Sequence, residues 1–125
     1  MKKRKARILD VVVAEKNSKN RLSLCNLVAS LNCVAIPTCS GLDIMRAITQ
    51  GQVALALLDV DLAFPDGEHT LHEIRQVVPM LPIILMSAVM TPTLIKQLGD
   101  RGAQDFLVKP IQRDQLAVTL FRYLL

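Results

Sequence analysis

The sequence predicts an α/β fold built on a parallel five-stranded sheet, and three observations lead there. Short apolar runs alternate five times with amphipathic stretches along 125 residues, a length that suits one domain with one core. The runs Val53 to Leu58 and Ile83 to Met86 are continuous rather than alternating, which marks strands buried on both faces between layers of helices. Right-handed crossovers then leave few topologies. The expected architecture is a (βα)5 flavodoxin-like three-layer sandwich with strand order 2-1-3-4-5.

The elements follow in order. Ile8 to Val13 is the first strand, interrupted by Asp10. Leu24, Leu27, Val28 and Leu31 recur at i, i+3, i+4 and i+7, the spacing of one helix face, with Asn17 or Ser18 as the cap. Cys33 to Ile36 is a short second strand ending at Pro37. Ile44, Met45 and Ile48 mark a second helix that Gly51 stops, and Val53 to Leu58 is the third strand, ending in Asp59. Asp66 and Gly67 open a third helix whose Leu71 and Ile74 point inward. Pro82 leads into the fourth strand, Ile83 to Met86, ending at Ser87. Leu94, Ile95 and Leu98 give the fourth helix, terminated by Gly102. Asp105 to Val108 is the fifth strand, ending at Lys109-Pro110, and the last helix carries Leu116, Leu120 and Leu124.

Composition narrows the function classes. Hydrophobic residues make up 51% of the chain, aromatics 3%, and tryptophan is absent, so the core is aliphatic. The net charge of +4 is concentrated at the start: Lys2, Lys3, Arg4, Lys5 and Arg7 supply five of 15 basic residues, and the other 10 face 11 acidic ones. Residues 1–6 therefore read as a basic tail and 7–125 as the domain. Without a basic stripe, an aromatic platform or room for a helix-turn-helix, direct nucleic-acid binding is not expected. No apolar run approaches the roughly 18 residues of a membrane span, and no apolar segment follows the basic start as in a secretory signal. Cys25, Cys33 and Cys39 form an odd set without a CxxC, which points to reduced thiols and a cytoplasmic setting. His69 and His72 are remote from them in sequence, so no thiol–imidazole metal site is expected.

In open parallel sheets the site lies at the carboxyl ends of the strands. Strand one ends in Glu15-Lys16, strand three in Asp59, strand four in Ser87 and strand five in Lys109, while strand two, at the edge, is expected to contribute nothing polar. A carboxylate nucleophile, a hydroxyl donor and a lysine counter-charge at one point suit a phosphoryl group. Polar loop ends explain any one of these residues but not their joint placement.

Four segments resemble the receiver domains of two-component response regulators. Val11-Val-Val-Ala-Glu-Lys-Asn-Ser-Lys-Asn-Arg-Leu resembles their opening, and Leu57-Leu-Asp-Val-Asp-Leu-Ala-Phe-Pro-Asp-Gly their central segment. Pro82-Ile-Ile-Leu-Met-Ser-Ala resembles the fourth strand, and Gly102-Ala-Gln-Asp-Phe-Leu-Val-Lys-Pro the fifth. The resemblance runs from about Arg7 to the last residue and keeps the family's order and spacing. It implies that Asp59 takes a phosphoryl group from a histidine kinase or phosphotransfer protein. Ser87 would hydrogen-bond it and Lys109 pair with it. It also implies a cis bond before Pro110 and an aromatic switch at Phe106, where a plain core aromatic is the alternative. The output and pairing surface would be the face of helix four, strand five and helix five, with a weak homodimer at most.

Two departures stand out. The family carries two acids after strand one and holds magnesium with the second acid, the phosphoacceptor and the carbonyl two residues beyond it, here that of Asp61. In this chain the second acid is Lys16, which removes a ligand and adds a like charge. Magnesium would then fall to Glu15, Asp59 and Asp61. Alternatively the Lys16 ammonium takes the metal's place and pairs with Asp59 or Asp61, making the chain a pseudo-receiver, an interaction module that works without magnesium-dependent phosphorylation. Ala63 stands where the family has proline, with Pro65 two residues later.

Enzymatic readings fare worse. Asp59-Val-Asp61 resembles the nucleophile motif of haloacid-dehalogenase-like phosphatases, but those enzymes place it on the first strand and add a later acidic pair. A flavin protein would need an aromatic pair to sandwich the ring. The expectation is therefore a signalling module rather than an enzyme, without an organic cofactor, either free-standing or cut from a hybrid kinase.

Overall fold

The computed structural model describes residues 8–62 and 66–124. The basic tail and the Ala63–Pro65 departure therefore lie outside the described residues. The chain forms β1 (Asp10–Ala14), α1 (Ser18–Ser30), β2 (Val34–Thr38), α2 (Gly41–Gln50), β3 (Val53–Asp59), α3 (Gly67–Val77), β4 (Ile83–Ser87), α4 (Pro92–Asp100), β5 (Asp105–Val108) and α5 (Arg113–Leu124). All strand pairs are parallel and the order is β2-β1-β3-β4-β5, as the apolar runs predict.

The two faces of the sheet bury separate sets of side chains, because successive strand residues point to opposite sides. Val12, Ala14, Ala56, Leu58, Ile83 and Leu85 pack with Ile44 and Ile48 of α2, Leu71 and Ile74 of α3, and Leu98 of α4. Val11, Val13, Leu55, Leu57, Ile84, Met86 and Leu107 pack with Leu24 and Val28 of α1 and Leu116 and Leu120 of α5. Cys25 joins this second layer as a partly buried apolar group.

Several boundaries differ from the sequence-based expectation. β1 starts at Asp10, and Ile8 is 66% exposed. β2 runs through Pro37 to Thr38; an edge strand tolerates a proline because one side of its backbone needs no partner. Asn17, not Ser18, caps α1, accepting from the Asn20 amide at 2.9 Å. Ile95 is 39% exposed and lies outside the core, so of the expected α4 face Leu94 and Leu98 turn inward. α4 ends at Asp100, and Gly102 follows at φ +109°, a conformation that glycine adopts without a Cβ clash.

Candidate functional site

Strand register assembles the site. Ala14 lies beside Leu58, so Glu15 stands level with Asp59. Asp59 lies beside Met86, so Ser87 comes next on the neighbouring strand, and Ser87 pairs with Val108, so Lys109 follows. Glu15, Asp59 and Ser87 are all buried, at 2%, 1% and 6% exposure.

Lys109 is the hub. Its Nζ donates to Glu15 Oε2 at 2.6 Å and to Asp59 Oδ2 at 2.8 Å. Burial of the ammonium works against its charge, but the hydrogen bonds and charges of Asp59 and Glu15 outweigh that, and its pKa lies above the ordinary lysine value. The remaining carboxylate oxygens accept main-chain donors: Asp59 Oδ1 from the Asp61 amide at 2.9 Å, and Glu15 Oε1 from the Asn17 amide at 3.2 Å. The Ser87 hydroxyl accepts from the Val89 amide at 3.3 Å. The Lys109–Pro110 bond is cis, as the resemblance implied.

The other expected residues lie at the rim. Lys16 and Asp61 are exposed. Among the described residues Lys16 makes no ion pair, so the expected pairing with Asp59 or Asp61 is not made: Lys109 reaches the buried pair first, from the adjacent strand end. Phe106 is half-buried against the layer of α2, α3 and α4.

Other residues that build the site went unassigned in the sequence. Arg21 Nη1 donates to the carbonyls of Glu15 (2.9 Å) and Lys16 (3.3 Å), pinning the loop after β1. Thr38, on the strand expected to add nothing polar, donates through its hydroxyl to the Val13 carbonyl at 3.1 Å, and its own carbonyl accepts from the Glu15 amide. Gly67 brings α3 against the end of β3, where its amide donates to the Val60 carbonyl at 3.0 Å and an added Cβ would come within 2.6 Å of Val60 Cα. The Asp66-Gly67 pair thus has a packing reason: Asp66 caps the helix and glycine alone permits the close approach. Beside Lys109 a groove of about 490 Å³ opens between α1 and the β5–α5 loop, lined by Asn20, Ser23, Leu27, Pro110 and Ile111.

Buried carboxylates held by a lysine at the carboxyl end of a parallel sheet define the receiver class of signalling domain. The response regulator receiver domain model matches residues 11–121, and the chain belongs to that family. Receiver domains are signalling domains rather than classical enzymes. The transcriptional regulatory protein ZraR of Salmonella typhimurium is 36% identical over 81 residues, 65% of this chain, and the regulatory protein LuxO of Vibrio cholerae is 33% identical over the same length. The chain spans 18% of the length of these curated relatives. The receiver domain of NtrX from Brucella abortus superposes with a TM-score of 0.86 at 25% identity, covering 92% of this chain and 98% of that one. The receiver domain of the sensor histidine kinase PA1611 from Pseudomonas aeruginosa, which holds a coordinated magnesium ion in its active-site cleft, gives a TM-score of 0.85 at 24% identity and covers 94% of this chain and 98% of that one.

The donor set here does not fit a directly coordinated magnesium. That ion needs several oxygen ligands in an octahedron. Here the buried pair of acids is bridged by Lys109, and the residue after Glu15 is a lysine rather than an oxygen donor. Among the described residues no group of three acidic, histidine or cysteine side chains is placed to hold a metal ion. No described helix is long and apolar enough to cross a membrane.

Proposed function

We propose that this chain works as a phosphorelay receiver, taking a phosphoryl group on Asp59 from a histidine kinase or phosphotransfer protein in the cytoplasm. The observation that carries the reading is the Asp59 carboxylate, buried to 1% exposure yet oriented by Lys109 and by the Asp61 amide. A buried carboxylate facing a cation and main-chain donors is a preorganised nucleophile. The groove beside Lys109 gives a donor its approach. Ser87 and Lys109 would hold the transferred group, and Phe106 would relay its arrival to the face of α4, β5 and α5. That face is equipped for a protein partner: Ile95, Val108, Val118 and Phe121 are between 39% and 58% exposed there.

The test is intact-mass analysis after acetyl phosphate treatment in the presence of magnesium. A single labile phosphoryl group should appear on the native chain and be absent from Asp59→Asn. Label persisting on that variant would show that another residue is the acceptor. A second reading, the pseudo-receiver, is favoured by one observation, the lysine at position 16. It expects no label under any condition.

A further inference from the structure

The strand ends and loops that build this site carry cations as well as carboxylates. Glu15, Asp59 and Asp61 carry three negative charges, and Lys16, Arg21 and Lys109 carry three positive ones. Lys109 spans the buried pair, Arg21 holds the carbonyls of Glu15 and Lys16, and Lys16 follows Glu15 on the same loop. An acid at position 16 would make the same set more negative by two units. Exchanging an acid for lysine therefore changes the local charge by as much as binding one divalent ion.

A metal ion assists phosphoryl transfer by screening an anionic donor from an anionic nucleophile and by taking up charge on the phosphoryl oxygens. A lysine ammonium supplies positive charge and three donors on a flexible stem. Lys109 is committed to Glu15 and Asp59. Lys16 is exposed and, among the described residues, makes no ion pair, so it can turn toward an arriving dianion. Taking Asp59 as the phosphoacceptor, we propose that it accepts a phosphoryl group without a divalent cation, Lys16 at the mouth and Lys109 on the floor of the site supplying the positive charge. With acetyl phosphate, an Asp59 carboxylate oxygen bonds to phosphorus as the bond from phosphorus to the bridging oxygen breaks. The electron pair leaves with acetate, and no proton, oxidant or reductant is required.

The experiment labels the full chain with acetyl phosphate in EDTA and in magnesium, read by intact mass. Native protein should label at rates within about twofold in the two buffers, whereas Lys16→Asp should label about tenfold more slowly in EDTA and recover with magnesium. Lys16→Met should be slow in both. Magnesium titration followed by NMR should leave the Glu15 and Asp59 amides of the native chain unmoved at millimolar ion and shift them in Lys16→Asp. Position 16 is exposed, and circular dichroism checks that these variants keep the fold. Native labelling that requires magnesium would overturn the cation-free proposal and leave Asp59 as the acceptor. Equal rates for native and Lys16→Met in EDTA would overturn the role of Lys16. No label on the native chain in either buffer would overturn the phosphoacceptor reading and this proposal with it.

Discussion

The two ends of the sheet are each tied by one long cationic side chain, in opposite ways. At the carboxyl end Lys109 faces two buried carboxylates, Glu15 and Asp59. At the other end Arg75, near the end of α3, faces neutral groups. Its Nε and Nη2 donate to the Gly102 carbonyl at 2.9 and 2.6 Å, Nη2 also reaches Gln104 Oε1 at 2.6 Å, and Nη1 reaches the carbonyls of Val78 and Pro79 at 3.3 Å. Gln104 Oε1 in turn accepts from the Ile83 amide at 2.7 Å, so the latch joins α3, the start of β4 and the turn before β5. Burial lowers the pKa of Arg75, which makes no ion pair among the described residues, whereas the carboxylates lift that of Lys109 despite burial. The carboxyl end is held by charges facing one another. The opposite end is held by a charge facing neutral dipoles.

The sharpest way to break this comparison is Lys109→Met. It leaves two buried carboxylates facing each other without a cation, and removing one partner of a buried ion pair costs about 3 kcal/mol or more. The pH sign follows from the raised pKa. A group whose pKa rises on folding contributes fully below its unfolded value, about 10.4 for lysine, and loses that contribution as pH climbs through the higher folded value. Urea denaturation should therefore show a constant gap between native and variant through neutral pH, closing only in strongly alkaline buffer. A gap already gone near pH 8 would mean that Lys109 does not carry the pair.

Arg75→Ala comes second. It removes several bonds from a charged donor to neutral acceptors, a loss of about 2 kcal/mol. Its partners do not titrate, so the loss should be the same from mildly acid to mildly alkaline buffer. Arg75→Lys should recover little of it, because an ammonium cannot reproduce the planar fork. Labelling of Asp59 by acetyl phosphate should be unchanged in both variants. A labelling defect would show that the two ends are coupled.

What could be read from the sequence divides along the same line. The strands were legible because Val53 to Leu58 and Ile83 to Met86 are continuous apolar runs, a signal that lies within each segment. Glu15, Asp59, Ser87 and Lys109 were legible as a set because each ends a strand and the topology forces those ends together. Which lysine meets the acids stays open in the sequence, because Lys16 and Lys109 both stand at strand ends and side-chain reach decides for Lys109, 94 residues from Glu15 and 50 from Asp59. The Arg75 latch was invisible for the same reason, since its partners Gly102 and Gln104 lie 27 and 29 residues away on a turn. Thr38 is hidden in the sequence because Pro37 reads as a strand end, whereas an edge strand can carry a proline and continue. Arg21 has carbonyl partners on Glu15 and Lys16, backbone groups that carry no sequence signal.

The smallest expected effect tests whether burial, rather than pairing itself, distinguishes Lys109. On α4 the Lys96 ammonium lies 3.3 Å from Asp100, an ion pair of the same chemistry whose side chains are 80% and 70% exposed. In water such a pair gains little Coulomb energy, and ordering two flexible side chains costs part of it. The order is also unfavourable: lysine precedes the acid, and Asp100 sits at the helix C-terminus, where the macrodipole opposes negative charge. Alanine has a slightly better helix propensity than lysine, which offsets part of any loss. Lys96→Ala should therefore change stability by about 0.3 kcal/mol or less, and added salt should shrink even that. Urea midpoints at low and high ionic strength measure it. A loss approaching about 3 kcal/mol would mean that an exposed pair on this helix is held as firmly as a buried one, and the contrast between the charged end of the sheet and its surface would fail.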